Sequence, residues 1–133
     1  QWAVDWLAER WHKTAAVVID AQSPAMSIVP DLQKRHVRVT VTDTRQLGQA
    51  TGRVLDMIRD KSITHLSDRD QPQLAAAVKG VTLRDIGSNG AVAWNKKGSD
   101  VEISPLQATT LALHGAFTAK RKPGRKQRLR RLT

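Results

Sequence analysis

The predicted fold depends most on the segment Ala15-Ala16-Val17-Val18-Ile19-Asp20. It is a short apolar run, rich in β-branched residues, that ends in a carboxylate. Such runs are typical of central strands in parallel sheets, where both faces of the strand are covered. Ligands of open parallel sheets bind beyond the carboxyl ends of the strands. Asp20 is therefore expected at the edge of the sheet where a site would form.

The segments after this strand alternate between helix and strand. Ser23 followed by Pro24 is a good N-cap and first-turn pair, which predicts a helix running to about residue 35, with a bend where Pro30 removes a hydrogen bond. The alternation of Val37, Val39 and Val41 with polar residues predicts a strand with one solvent-exposed face. A helix between two strands indicates parallel pairing, so the sequence predicts an α/β fold with a mostly parallel sheet flanked by helices.

Further helices and a hairpin are predicted around this unit. The first helix covers residues 2–13, with Trp2 and Trp6 on its apolar face. Asp43 and Gln46 have the spacing of a capping box at the start of a helix that runs to about residue 60. Strands at 82–86 and 91–96 flank a Gly-Ser-Asn-Gly turn. The other predicted helices cover 71–79 and 104–114, and the second of these would end at Gly115.

Length and composition exclude several classes of protein. A chain of 133 residues has the size of a single domain with one core. It contains no cysteine, which excludes disulfides, thiolate metal sites and cysteine nucleophiles. Its apolar runs are far shorter than the roughly 20 residues of a membrane span, so no membrane partner is expected. The glycines within 87–90 are not followed by the Lys-Ser/Thr pair of a phosphate-binding loop, which argues against ATP binding.

Positive charge is concentrated at the C-terminal end. The chain has 22 Lys and Arg against 12 Asp and Glu, a net charge of +10. Eight of these cations lie in residues 120–131, so the sequence predicts a basic, disordered tail over 118–133. Such a tail binds polyanions by releasing their counterions, although a solubilising end is the alternative. The cations assigned to nucleic-acid contact are Lys120, Arg121, Lys122, Arg125, Lys126 and Arg128, with Lys96 and Lys97 after Trp94.

Carboxylates in two places are candidate metal ligands. Asp20 would end the central strand, and Asp100 and Glu102 directly precede the last predicted helix. Carboxylate oxygens are the ligands that Mg²⁺ or Mn²⁺ needs for two-metal phosphodiester hydrolysis. Each acid also has a local explanation, as a turn residue or as a carboxylate near the positive end of a helix dipole. A third acid could come only from Asp5 or Glu9, on the polar face of the first helix.

The histidines form no pair at metal-ligand spacing on one helix. His65 lies in an irregular segment between predicted elements, where binding residues concentrate. It is therefore the histidine that we assign to a candidate cleft.

Five segments of the chain follow one another in an order that matches a known family. They are Val17-Val18-Ile19-Asp20-Ala21-Gln22-Ser23-Pro24-Ala25, Val39-Thr40-Val41-Thr42, Thr64-His65-Leu66, Ala93-Trp94-Asn95-Lys96-Lys97, and Ile103-Ser104-Pro105-Leu106 with Ala108 and Leu111-Ala112-Leu113. Their order and spacing resemble the C-terminal nuclease domain of the large terminase subunits of tailed bacteriophages, especially those infecting actinobacteria. The resemblance covers residues 1–117 and leaves the basic tail outside.

This resemblance implies a ribonuclease-H-like fold in which three acids hold two Mg²⁺ or Mn²⁺ ions. Asp20 matches the acid of the central strand. Glu102 matches the late acid, where the family more often has Asp, and Asp100 is a substitute for it. The first acid of the family belongs to opening strands that precede the helix at which this chain begins. The resemblance therefore implies a partial nuclease domain over 1–117, whose exposed sheet edge would need a partner.

The implied activity is metal-dependent cleavage of double-stranded DNA during genome packaging, with Asp20 and Glu102 as catalytic metal ligands. The implied partners are duplex DNA, the rest of the terminase chain, the small terminase subunit and the portal. The implied location is the cytoplasm of a host cell carrying a phage or prophage. Two alternatives stay open: a non-catalytic protein that binds DNA or the packaging complex through a degenerate nuclease fold, and a basic RNA-associated protein.

Overall fold

The structure is a computed structural model, and it describes residues 2–60, 62, 72–86, 90–95 and 102–123. The chain divides into two compact units: unit 1 contains Gln1–Val41 and His114–Thr133, and unit 2 contains Thr42–Leu113. Helices and strands occur in both units, which confirms the predicted α/β class. The length led us to expect one core, but the described residues form two clusters of buried apolar side chains, one in each unit. No helix within the described ranges is long and apolar enough to cross a bilayer.

Unit 1 is built from short elements around a pair of strands. In chain order they are helix α1 (Trp2–Arg10), a 3₁₀ turn (Trp11–Lys13), strand β1 (Val17–Asp20), a second 3₁₀ turn (Pro24–Ile28), helix α2 (Val29–Lys34) and strand β2 (Val39–Thr42), of which only the last residue falls in unit 2. β1 and β2 pair in parallel. The core of this unit consists of Val4, Val17, Ile19, Leu32 and Val37.

The single helix predicted from Ser23 to about residue 35 is divided in two. Ser23 does cap the first part, since its hydroxyl accepts the Ala25 N–H. Pro30 lacks an N–H and could not bond to the carbonyl of Met26 in a continuous α-helix. That carbonyl accepts the Val29 N–H in a 3₁₀ turn instead, and Pro30 falls in the first turn of α2, where no N–H is required.

A Schellman motif ends α2, and β2 therefore begins later in the chain than predicted, at Val39. The His36 N–H donates to the Gln33 carbonyl and the Val37 N–H to the Leu32 carbonyl, each at 3.0 Å. Val37, the second residue after the C-cap, is the apolar residue of this motif that packs with Leu32, and both side chains are buried. The predicted alternation of Val37, Val39 and Val41 is therefore wrong in part, because the strand begins at Val39 and Val41 is 39% exposed.

The apolar face predicted for the first helix is also narrower than expected. Val4 is buried, and Leu7 and Ala8 pack against the core of unit 1. Trp2 and Trp6 are exposed to 78% and 48%, so their assignment to the buried face is wrong. They lie one turn apart on a separate face of α1, since residues four positions apart are neighbours on a helix.

Unit 2 packs helices on an antiparallel hairpin. Its elements are helix α3 (Thr44–Arg59), helix α4 (Pro72–Gly80), strand β3 (Leu83–Ile86), strand β4 (Ala91–Trp94) and the first part of helix α5 (Ser104–Thr118). The predicted capping box of α3 is confirmed, because Asp43 Oδ1 accepts the Gln46 N–H and Gln46 Oε1 accepts the Asp43 N–H. The core consists of Val54, Ala77, Trp94, Ile103 and Leu106.

Trp94 connects the hairpin to α5 within this core. Its indole N–H donates to Thr110 Oγ1 at 2.9 Å, and the Thr110 hydroxyl donates to the Leu106 carbonyl at 2.8 Å. Both side chains are buried, so these bonds satisfy polar atoms that would otherwise be costly to remove from water. The pair fixes the start of α5 on β4.

Helix α5 continues past the predicted stop. Residues 104–113 belong to unit 2 and 114–118 to unit 1, and the helix ends at Thr118. Gly115 lies inside the helix because the backbone passes close to β1 there: a Cβ at this position would lie 2.7 Å from Val18 Cγ2. The glycine permits close packing, and the prediction that it ends the helix is wrong.

The strands of the described residues form one parallel and one antiparallel pair. In the second pair Leu83 faces Trp94 and Ile86 faces Ala91, as the predicted hairpin requires. The mostly parallel sheet is therefore not observed, because a short turn can join only antiparallel strands. A single parallel pair occurs in many α/β folds, so the ribonuclease-H-like fold remains a prediction.

Candidate functional site

Asp20 occupies the place that the sequence predicted. It is the last residue of β1, at the carboxyl end of the parallel pair, and only 6% of its surface is exposed. Its Oδ2 accepts the Gln22 N–H at 3.1 Å, and its carbonyl accepts the Ser23 N–H at 2.9 Å. This carboxylate is oriented by the turn that follows the strand, as the local explanation of Asp20 also requires.

Glu102 lies two residues before Ser104, the first residue of α5, and is exposed. Its Oε1 accepts two hydrogen bonds from Ser104, one from the backbone N–H at 2.9 Å and one from the hydroxyl at 2.5 Å. A carboxylate in this position satisfies an N–H of the first turn and interacts favourably with the helix dipole. A cation bound at Oε1 would compete with these two bonds.

The oxygen atoms of the Asp20 and Glu102 carboxylates are the type of ligand that a hard divalent cation prefers. Each carboxylate accepts hydrogen bonds that limit its rotation. Asp20 belongs to unit 1 and Glu102 to unit 2. Asp100, the possible substitute for Glu102, lies outside the described residues. Within the described part of the chain, no group of three or more His, Asp or Glu residues could hold a metal ion. Further ligands would be needed to complete a two-metal site.

Of the residues assigned to nucleic-acid contact, three can be placed. Lys120 and Lys122 are exposed just after α5. Lys96, Lys97, Arg125, Lys126 and Arg128 lie outside the described residues, as does the cleft candidate His65.

Arg121 has a different environment from its two neighbours. Its Nη1 donates to the carbonyls of Trp11 and Thr14, at 3.1 and 2.8 Å, and its guanidinium lies 3.8 Å from the centre of the Trp11 ring. These contacts attach the first residues of the predicted tail to the end of the α1 region. The sequence could not predict them, because Trp11 and Arg121 are 110 positions apart.

A second arginine stacks on a tryptophan within α1. The Arg10 guanidinium lies 4.2 Å from the centre of the Trp6 ring, and Arg10 Nη1 donates to the Trp6 carbonyl at 3.1 Å. The spacing of four residues that allows this contact is visible in the sequence. It was missed because Trp6 was assigned to the buried face.

The pKa of Asp60 is lowered by hydrogen bonds from the Ser62 side chain and backbone N–H, the latter at 3.0 Å. Asp60 is exposed and follows the last residue of α3. Its lowered pKa is explained by this turn, and it carries no indication of catalysis.

Comparisons of this chain with known protein families, with curated proteins and with solved structures found no match. The resemblance to terminase nuclease domains therefore stays a prediction that rests on the five sequence segments.

Proposed function

We propose that this chain is part of the nuclease domain of a phage terminase large subunit and contributes to metal-dependent cleavage of double-stranded DNA. The observation that carries the proposal is Asp20, a buried carboxylate at the carboxyl end of a parallel strand pair. Ligands of open parallel sheets bind at this edge. The five sequence segments supply the family, and the remaining terminase chain, the small subunit, the portal and a host cytoplasm are part of the same proposal.

In this proposal the residues of the chain hold the metal ions, orient the ligands of these ions and bind the DNA. Asp20 and Glu102 would hold the divalent ions, which supply a nucleophilic hydroxide and stabilise the charge on the cleaved phosphate when bound. The Gln22 N–H orients the Asp20 carboxylate, and Ser104 orients that of Glu102. The cations beyond residue 119 would hold the DNA backbone without reading its sequence.

Manganese binding by the purified chain tests the proposal directly. We expect weak binding, at about millimolar concentration, detected by electron paramagnetic resonance of Mn²⁺. Replacing Asp20 by Asn or Glu102 by Gln should weaken it by about 10-fold or more, because each removes a charged ligand. Asp31→Asn is the matched control, since Asp31 is an exposed acid on α2.

The same variants are then assayed for Mn²⁺-dependent nicking of supercoiled plasmid DNA, in the longest active form of the terminase chain. If binding and cleavage both survive the combined Asp20→Asn and Glu102→Gln change, the nuclease assignment is wrong.

A second candidate is a non-catalytic protein that binds DNA or the packaging assembly. It is favoured by Glu102, whose Oε1 already accepts two hydrogen bonds at the start of α5, and by the finding that the described residues contain no group of three or more acids or histidines that could hold a metal ion. This second function would be supported if the wild-type chain bound duplex DNA with an affinity that falls as salt rises, but did not bind Mn²⁺.

A further inference from the structure

One face of α1 carries large aromatic side chains that the described residues leave exposed. It consists of Trp2, Trp6 and Arg10, at successive intervals of four residues, and we call it the tryptophan face. Trp2 is 78% exposed and Trp6 is 48% exposed. Leaving two indoles in water forfeits a large part of their favourable burial, and exposed apolar patches often mark interaction sites.

The cation on this face is already placed against an aromatic ring. The Arg10 guanidinium lies 4.2 Å from the centre of the Trp6 ring, and its bond to the Trp6 carbonyl holds it there. Glu9 lies 3.6 Å from Arg10, but both side chains are largely exposed, so this ion pair is screened by solvent. The other acid of α1, Asp5, is paired with Arg35 at 2.6 Å. Both acids of the helix therefore have arginine partners.

More positive charge lies at the C-terminal end of the same helix. Lys13 follows α1 in the 3₁₀ turn and is exposed. Arg121 is attached to Trp11 and Thr14, which places the start of the basic segment at this end of α1. Lys120 and Lys122 flank that attachment and are exposed. The tryptophan face thus leads into a cluster of cations.

We propose that the tryptophan face binds an unpaired stretch of nucleic acid, with the two indoles stacking on bases and the adjacent cations contacting phosphates. Exposed aromatic rings beside a basic surface are the combination that binds single strands, because every unpaired base offers a ring face. A duplex buries these faces, so it would contact only the cations. The inference goes beyond the proposed function and requires neither Asp20 nor Glu102.

Fluorescence anisotropy with a labelled oligothymidine of about 12 nucleotides tests this inference at one fixed salt concentration. Trp2→Ala and Trp6→Ala should each weaken single-strand binding by about 10-fold, the usual loss for one stacked base. Binding to duplex DNA should change little. Trp6→Phe should recover most of the affinity, since it restores a ring that can stack.

Leu83→Ala is the matched control, because Leu83 is an exposed apolar residue in the other unit. Quenching of tryptophan emission by the oligonucleotide gives a second readout, which should be reduced when Trp2 and Trp6 are both replaced. Circular dichroism verifies that the variants keep their helix content.

Unchanged single-strand affinity in the double Trp2→Ala and Trp6→Ala variant would overturn the inference. So would a monomer–dimer equilibrium, measured by sedimentation, that the double variant abolishes while nucleic-acid binding stays intact, because the face would then serve a second copy of the chain.

Discussion

His36 holds its backbone at φ = 61°, in the left-handed region that side chains with a Cβ seldom adopt. It is the residue after the C-cap of α2, where the Schellman motif requires this conformation. Its side chain is exposed. The conformation is maintained by the two backbone bonds of the motif and by the packing of Val37 on Leu32, at the expense of local strain.

Replacing His36 by Gly should therefore stabilise the protein by about 0.5 to 1 kcal/mol, because glycine adopts this φ without the steric cost. Chemical denaturation followed by circular dichroism measures the change. Lys34→Gly is the matched control, since Lys34 is exposed and helical, and it should destabilise by about 1 kcal/mol. Equal destabilisation by both glycines would show that φ at residue 36 stores no strain.

At the scale of one element, α3 contains two glycines with different surroundings. Gly48 is buried against the hairpin, and a Cβ there would lie 3.0 Å from Ala91 Cβ and 3.4 Å from Ile86 Cδ1. At Gly52, no atom of the described residues outside the neighbouring helix backbone lies within 4 Å of such a Cβ. Helix propensity favours alanine at both positions, but the space for its side chain exists only at the second.

Gly52→Ala should stabilise the protein by about 0.5 to 1 kcal/mol, through helix propensity alone. Gly48→Ala should destabilise it by about 1 kcal/mol, because overpacking against the hairpin outweighs the same propensity gain. The two variants are compared by thermal and chemical unfolding of the whole chain.

Combining Ala91→Gly with Gly48→Ala tests the cause of that loss, since it removes Ala91 Cβ, the atom nearest to the new Cβ at position 48. The double variant should lose less stability than the sum of the two single changes. Strict additivity would refute the packing explanation.

At the scale of the whole molecule, the dominant property is the net charge of +10 and its concentration near the C-terminus. Residues 124–133 include Arg125, Lys126, Arg128, Arg130 and Arg131. If each contacts a phosphate, each contributes about 0.9 to the slope of duplex affinity against salt on logarithmic axes.

Removing residues 124–133 should reduce that slope by about 4.5 and leave the fold of the described residues intact. Titration of duplex DNA over a series of potassium chloride concentrations measures it. A variant with lysine at the four arginine positions keeps the charge and should keep the slope. A truncated chain with an unchanged slope would place the DNA contacts elsewhere.

Several features of this protein follow from residues that are close together in the chain. The capping box of Asp43 and Gln46, the strand that ends in Asp20 and the hairpin whose second strand ends in Trp94 all formed as predicted. So did the position of Glu102 at the start of α5. Each depends on neighbours within a few residues along the chain, where propensity, capping and turn geometry act.

Other features depend on contacts between segments that are far apart in the chain. α5 passes through Gly115 because Val18 lies against it, Trp2 and Trp6 are exposed because the core accepts another face of α1, and Arg121 docks on Trp11 across most of the chain. The exposure and the packing of such residues depend on which other segments of the protein lie against them. Local sequence patterns cannot predict these contacts, because the segments that form them are distant in the chain and meet only when it folds.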